Sequence, residues 1–536
     1  MMYSKTFPFD ASREQAFRSN PAIRLFGNRF SNDQTTMELL SEFLLVASSQ
    51  KRIDGHEFSS YLPSDNILAG WKNTVLEYSP KARLNLKLLS FLSASRLDSR
   101  HITHRQHYKT LVDELRKRIK IEGGSKTEVI KTIENLLLGF QGAGNGRTWC
   151  AQSFIPMSQS LISCETIWRE TEARKGQPNS WNSLLEVRGS YFSTSQHVFF
   201  AGGGELLYLQ ICNALNQSEE SVRIWAESAK LELEPEEMKP SLLLLELERE
   251  LGKLFGRCPA VINELADFID QGLDSETAAM TDGEEHNPRY VEAGWCNSDS
   301  WQEGYLLAVD IVRTLKSGYD VLDSVYYLES LFMLHALRSL GTQSVRTLYK
   351  KEQAWPGYYL AVTAPNESNG ALKRISHQSL KNIEKTIFMA IREYYNGSDD
   401  EQDGKILKEA DKRSGHKFFL KMAKQAGMVI PRRGAGARFV ITPHILRLLV
   451  TITVPNKGRI TFDTFKNIVR SRWGIVFDDL GFGACSKWID GNEVYLASDT
   501  DAWLIEMLDA GGLLMHLSDS CALILHPNQE GNGVVS

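Results

Sequence analysis

Residues 404–442 read GKILKEADKRSGHKFFLKMAKQAGMVIPRRGAGARFVIT, and the order of elements in that stretch governs the reading of the chain. Ile406, Leu407 and Ala410 share one side of a short amphipathic segment that stops at Ser414-Gly415. In the next segment Phe418, Phe419, Met422, Ala423 and Ala426 fall on one helical face, with Lys417, Lys421 and Lys424 on another. Gly427 ends that helix, because a glycine just past the last periodic residue readily takes the left-handed conformation of a helix stop. Two apolar runs, Met428–Ile430 and Phe439–Ile441, then flank the basic tip Pro431-Arg432-Arg433-Gly434-Ala435-Gly436. Helix, turn, helix and hairpin in this order predict a winged helix-turn-helix whose second helix and wing carry positive charge. Lys417, Lys421, Lys424, Arg432, Arg433 and Arg438 are the residues expected to meet duplex DNA, chiefly its phosphates. A wing used for protein contacts is the competing reading.

Working outward, the charge distribution agrees with a nucleic-acid partner. The chain of 536 residues has a formal net charge of −5, yet Ala371–Ile475 holds 21 Lys/Arg against 9 Asp/Glu. A basic module on an acidic body fits one region that meets phosphate and another that meets protein or water. Hydrophobic content of 42% with 24% charged residues excludes a disordered chain. No apolar run approaches a membrane span, and the start MMYSKTFPFDASREQAF lacks the pattern of a signal peptide, so a cytoplasmic protein is expected. The seven cysteines, at 150, 164, 212, 258, 296, 485 and 521, form no C-x-x-C pair and read as reduced core thiols.

The length predicts several domains, and the periodicity predicts a mainly α protein. Helical spacing is clear over Met37–Ser48, Arg83–Ser95, Tyr108–Ile121, Thr127–Leu138, Ser221–Leu231 and Ser241–Phe255. Ser300–Leu340 reads as two packed helices broken near Ser317-Gly318. The polar stretches Asp274–Pro288, Pro365–Gly370 and Asn396–Gly404 read as linkers or exposed loops. The expected division is an N-terminal helical body over 1–273, a middle helical region over 289–364 and a basic winged-helix-like α/β module over 371–527.

Motifs for chemistry are sparse. Gly139–Cys150 (GFQGAGNGRTWC) fails as a phosphate loop, with Gly146-Arg147-Thr148 where Gly-Lys-Ser/Thr is needed and Gln141 in place of the first glycine. His101, His104 and His107 drift round a helix with no acidic or Cys ligand in the motif. The run FAGGGELL enters a helix near Glu205, whose free N–H groups suit an anion, with Arg188 and His197 as chemically capable neighbours. Tight packing of backbone there is the alternative. Glu409-Ala410-Asp411-Lys412 has the residue types of a nuclease site but lies on an expected helix. No catalytic residue, metal or cofactor is expected.

KQAGMVIPRRGAGARFVITPHILRLLVTITV, followed by RITFDTFKNIVRSRWGIVF, resembles the C-terminal region of accessory proteins of prokaryotic anti-phage defence systems. The likeness lies in a basic wing, an apolar helix, an R-[IM]-x-F-x-x-F segment and a closing W/F-G-I-V, and covers about 100 of the 536 residues. It implies a non-catalytic DNA-sensing or scaffolding subunit beside an ATPase, nuclease or methyltransferase. A phosphate-handling hydrolase with a site near Arg188, His197 and Glu205, and a pure protein scaffold, are the alternatives.

Overall fold

A buried helix anchors the first half of the chain. In the computed structural model, α1 (Thr36–Ser48) starts with a capping box: Thr35 Oγ1 accepts from the N–H of Glu38, and the Glu38 carboxylate accepts from the N–H of Thr35. Its residues Met37–Ala47 are buried on every side. The structure describes residues 5–27, 30–32, 34–71, 73–81, 113, 116–121, 123–137, 155–163, 167–168, 192–193, 202–271, 290–349, 355–395, 401–492, 500–518 and 521–528. The expected helices over 83–95 and most of 108–121, the acidic stretch 274–288 and the terminal 529–536 lie outside them.

At the far end of α1, Lys51 is fully buried and donates from Nζ to the carbonyls of Val46 (3.3 Å), Ala47 (2.6 Å) and Ser49 (2.6 Å). A cation on the last carbonyls satisfies acceptors that the helix cannot pair internally. Strands β1 (Gln50–Ile53), β2 (His56–Phe58) and β3 (Glu77–Ser79) follow in antiparallel order. Next come α2 (Gly203–Leu215), α3 (Glu219–Ala229) and α4 (Pro240–Gly256). All thirteen residues of α2 are buried, and glycines set its packing. A Cβ at Gly204 would lie 2.4 Å from the Leu39 carbonyl, and one on Gly304 would lie 2.2 Å from that of Gln210. Only backbone fits at either contact.

Strand β4 (Val291–Glu292) pairs with β3, so residues on both sides of 273 share one sheet. Helices α5 (Trp301–Lys316) and α6 (Val321–Tyr349) are the two expected over 300–340, parted where Gly318 takes a φ of +82°. Most of α6 beyond Ser324 is buried.

Strand β5 (Leu360–Thr363) leads through a turn into α7 (Gly370–Glu393), capped by Asn369. Helix α8 (Glu401–Arg413), helix α9 (His416–Gln425) and the hairpin β6 (Val429–Ile430) and β7 (Arg438–Val440) appear in the expected order. At Gly415 a Cβ would sit 2.7 Å from Ile391, so the turn between α8 and α9 rests on α7. Gly427 has a φ of +70°, and the N–H of Met428 closes back on the Ala423 carbonyl at 2.9 Å.

The hairpin does not stand alone. β7 pairs in parallel with β5 (Phe439 opposite Val362), and β5 pairs in parallel with β9 (Ile475–Val476), giving the order β6-β7-β5-β9. The expected boundary near 364–371 therefore runs through a sheet, and Pro365–Gly370, expected as a linker or exposed loop, is the largely exposed loop from β5 to α7. Of Asn396–Gly404, residues 401–404 belong to the first turn of α8, and 396–400 lie outside the described residues. The apolar run over 443–453 is helix α10 (Pro443–Thr453). Strand β8 (Arg459–Thr461), helix α11 (Phe462–Trp473), helix α12 (Asp479–Asp490) and helix α13 (Ala502–Ala510) follow, with β10 (Leu514–Ser518) and β11 (Cys521–Leu525) completing a sheet of order β8-β11-β10. One apolar core runs from Phe7 to Ile524 through all three expected regions. The protein is mainly helical with small sheets.

Candidate nucleic-acid interface

Helix α9 owes its orientation to its sequence period. Phe418, Phe419, Met422 and Ala423 are buried, so burial of that apolar face fixes the opposite face outward. Lys417 is exposed, and Lys421 and Lys424 are partly exposed. The hairpin tip, residues 431–436, is exposed throughout, with Gly434 and Gly436 at φ of +100° and +77°. Those positive φ values turn the tip tightly and leave Arg432 and Arg433 in solvent.

These residues come together in a surface groove of about 640 Å³, lined by Thr36, Lys417, Leu420, Lys421, Lys424, Gln425 and Arg432. Four of the six sequence-expected residues line it. Among the described residues, Lys417, Lys424, Arg432 and Arg433 have no ion-pair partner. Several other cations of the region are paired with carboxylates. Arg392 holds Asp411 through both carboxylate oxygens (2.6 and 2.7 Å), Lys381 holds Glu384, and Lys466 meets Asp463, Asp478 and Asp501. The first of these pairs also occupies Asp411, one of the two carboxylates in 409–412; the other, Glu409, lies 3.5 Å from Arg413.

One wall comes from the other end of the chain. The N–H of Asn32 donates to the Arg413 carbonyl at 2.8 Å, and Ser414 Oγ donates to the Phe30 carbonyl at 2.6 Å. Phe30 stacks on Phe418 with ring centroids 5.9 Å apart, and Lys421 Nζ donates to the Asn32 carbonyl. Thr36, the first residue of α1, completes the wall and donates its hydroxyl to Glu329. Helix α9 thus lines an open surface groove whose other wall is the 30–36 segment. Sequence reading missed Thr36, Leu420 and Gln425; the first stands almost 400 positions from α9, and no local signal connects them.

Arg438 belongs elsewhere. It is 9% exposed, and its guanidinium donates to the carbonyls of Ala364 (3.3 Å) and Pro365 (2.8 Å). It fastens the β5–α7 turn to β7, so it is removed from the set of phosphate contacts.

The Gly-rich entry to α2 is filled by the chain itself. The Glu42 carboxylate accepts from the N–H groups of Gly202 (3.1 Å) and Gly204 and from Gln34 Nε2 (2.9 Å). Burial, with the nearby charge of Glu205, pushes its carboxyl up to about 8. Glu205 accepts from Tyr78 Oη (2.9 Å) and the N–H of Gly294 (2.7 Å), one bond to each oxygen. Both Glu205 oxygens are thus engaged within the fold, and the helix start is filled by the chain's own Glu42. Arg188, His197, the loop 139–150 and the histidines at 101, 104 and 107 lie outside the described residues. Among the described residues no three His, Cys, Asp or Glu side chains are placed to hold a metal ion. No helix there is long and apolar enough to cross a membrane.

Comparison with protein-family models, with curated proteins and with solved structures finds no match.

Proposed function

We propose that this chain is a non-catalytic nucleic-acid-binding subunit of a multi-protein assembly, and that it holds DNA by its phosphates in the groove between α9, the β6–β7 tip and the start of α1. The observation that carries this reading is the convergence of Lys417, Lys421, Lys424 and Arg432 on one groove with no carboxylate in its lining. Lys417, Lys424 and Arg432, which no described carboxylate holds, can neutralise phosphates and release counterions, and that release supplies most of the free energy of sequence-independent binding. The order α8, turn, α9, β6 and β7 supports a winged-helix reading of this part, with the wing built onto a mixed sheet. The resemblance of the C-terminal stretch to accessory proteins of anti-phage defence supports a cytoplasmic role beside an ATPase, nuclease or methyltransferase.

The test is the salt dependence of affinity. Replacing Lys417, Lys424 and Arg432 together with Ala should weaken binding similarly across sequences and lower the slope of log K against log salt by roughly 0.7–0.9 for each phosphate no longer neutralised. An unchanged slope in the folded triple variant would transfer the groove to protein recognition.

A further inference from the structure

Beside the groove lies an aromatic stack that phosphate binding does not use. Tyr326 is 51% exposed, and one side of its ring is backed by His444, with centroids 4.1 Å apart. His444 stacks on Tyr327 (4.8 Å, 9° between planes), and Tyr327 stacks on Tyr319 (4.5 Å, 27°). Ser330 Oγ pairs with His444 Nε2 at 2.7 Å and fixes that ring in its plane. Burial drives the His444 imidazole down to about 4, so the ring behind Tyr326 is neutral at ordinary pH. The result is a packed aromatic cluster whose outer member, Tyr326, is tilted 40° to the His444 ring and faces solvent.

Its position matters more than its existence. Leu322, Tyr326 and Glu329 fall four and three residues apart, one stripe along α6. Glu329 takes the hydroxyl of Thr36, and Thr36 lines the groove. Tyr326 therefore stands one helical turn from Glu329, the residue that holds Thr36 of the groove's wall. The intervening Glu329 is half-buried, and burial pushes its carboxyl up. Asp320 and Asp323 follow at the start of α6, so the favourable path for a polyanion ends at Tyr326.

We propose, resting on the nucleic-acid reading above, that the strand held here is single: the groove cations take its phosphodiester backbone, and Tyr326, backed by His444, stacks a base. A duplex reader needs a recognition helix that projects into a major groove roughly 12 Å wide. Here α9 lies between the 30–36 segment and the hairpin tip, with Lys421 tied to Asn32. A basic groove with an exposed aromatic ring near it is the arrangement that binds unpaired strands with little sequence preference.

Fluorescence anisotropy of the full chain with short single-stranded DNA, its RNA counterpart, the matching DNA duplex and an abasic DNA strand tests this. One of the two single strands should bind more tightly than the duplex, and the tighter of them names the natural strand. Tyr326→Ala should weaken that binding by about 5- to 150-fold, the range for loss of one stacked base, while Tyr326→Phe keeps the ring and stays near wild type. The abasic strand should lose affinity to a similar extent and show no further loss with Tyr326→Ala. Equal or tighter binding of duplex, or an unaffected Tyr326→Ala protein, would overturn the single-strand assignment and leave phosphate binding standing. Failure of every strand to bind at low salt would overturn both.

Discussion

Replacing Asp310 with Asn should cost this protein a large part of its stability, although the change removes only one charge. Asp310 on α5 is fully buried between two fully buried arginines, Arg338 of α6 (3.2 Å) and Arg472 of α11. Arg472 also donates to the Ile452 carbonyl at 3.1 Å, and both guanidiniums lie against the Trp473 ring at 5.3 and 4.8 Å. Arg338 donates to His335 Nδ1 at 3.0 Å, which obliges His335 Nε2–H to donate to Gln210 Oε1 at 2.9 Å and keeps the imidazole neutral. Burial pushes the Arg472 guanidinium down to about 10, still charged at neutral pH. Asn at 310 would leave two buried cations facing a neutral amide, and breaking a buried pair in this way costs about 3–5 kcal/mol. Total stabilities are roughly 5–15 kcal/mol, so the loss is a substantial share. Urea unfolding at constant m-value measures it, and hydrogen exchange should report loosening of α11, the element that Asp310 ties to α5 and α6. Converting Asp310, Arg338 and Arg472 together to apolar residues of similar volume should restore much of the loss, since no charge is then stranded. A change below about 1 kcal/mol for Asp310→Asn would refute the reasoning, because the desolvation of two arginines would then have to be met elsewhere.

Glu42 predicts a pH dependence. With a folded-state value of about 8 against an ordinary 4.5, the folded chain keeps a proton that the unfolded chain releases, so stability falls as pH rises from about 4.5 to 8 and then levels. Glu42→Gln does not titrate; unfolding curves for the two proteins should diverge in its favour across that window, and a constant offset would contradict the assignment. Arg438→Ala should lower the unfolding midpoint, by freeing the carbonyls of Ala364 and Pro365, while leaving the salt slope of nucleic-acid binding unchanged. A lowered slope would return Arg438 to the interface. Lys51→Met should destabilise the chain, because three carbonyls at the end of α1 lose their donor, and an unaltered midpoint would show that other groups satisfy them.

Local order is legible where side-chain period and glycine placement agree. The Phe418, Phe419, Met422 and Ala423 face, the stop at Gly427 and the exposed tip at 431–436 all follow from neighbours in sequence, and each is found where expected. Partnership across the chain is not legible. Nothing in 404–442 announces that β7 continues into β5 and β9, because a parallel pairing is set by strands far apart in sequence. Nor does the sequence mark Asn32 and Thr36 as the wall beside α9. The Gly202–Gly204 turn seats oxygen acceptors, as its glycines suggest, but they come from the Glu42 carboxyl, about 160 residues upstream. A helix start presents free N–H donors and is indifferent to the source of the acceptor.

The basic excess of Ala371–Ile475 shows why charge counting finds a region but not a site. Twenty-one cations against nine acids suggest a broad positive face, yet many of those cations are committed internally. Arg472 answers Asp310 in the core, Lys466 answers three aspartates, Arg392 answers Asp411, and Arg438 answers two carbonyls. Attraction for a strand depends on what remains after these pairings, since a cation already held at contact distance by a carboxylate presents almost no net field to a phosphate. Lys417, Lys424 and Arg432 are what remains at the groove, and Tyr326, the exposed ring of the Tyr326–His444–Tyr327–Tyr319 cluster, stands one helical turn from Glu329, which holds Thr36 of the groove's wall. Even with Lys421 added, four cations and one flat surface are few for a protein of this length, and binding through them alone would be weak and salt-sensitive. That modest footprint suits a subunit whose position on a strand is set jointly with partners, so that two weak attachments on one assembly raise the effective concentration of each other.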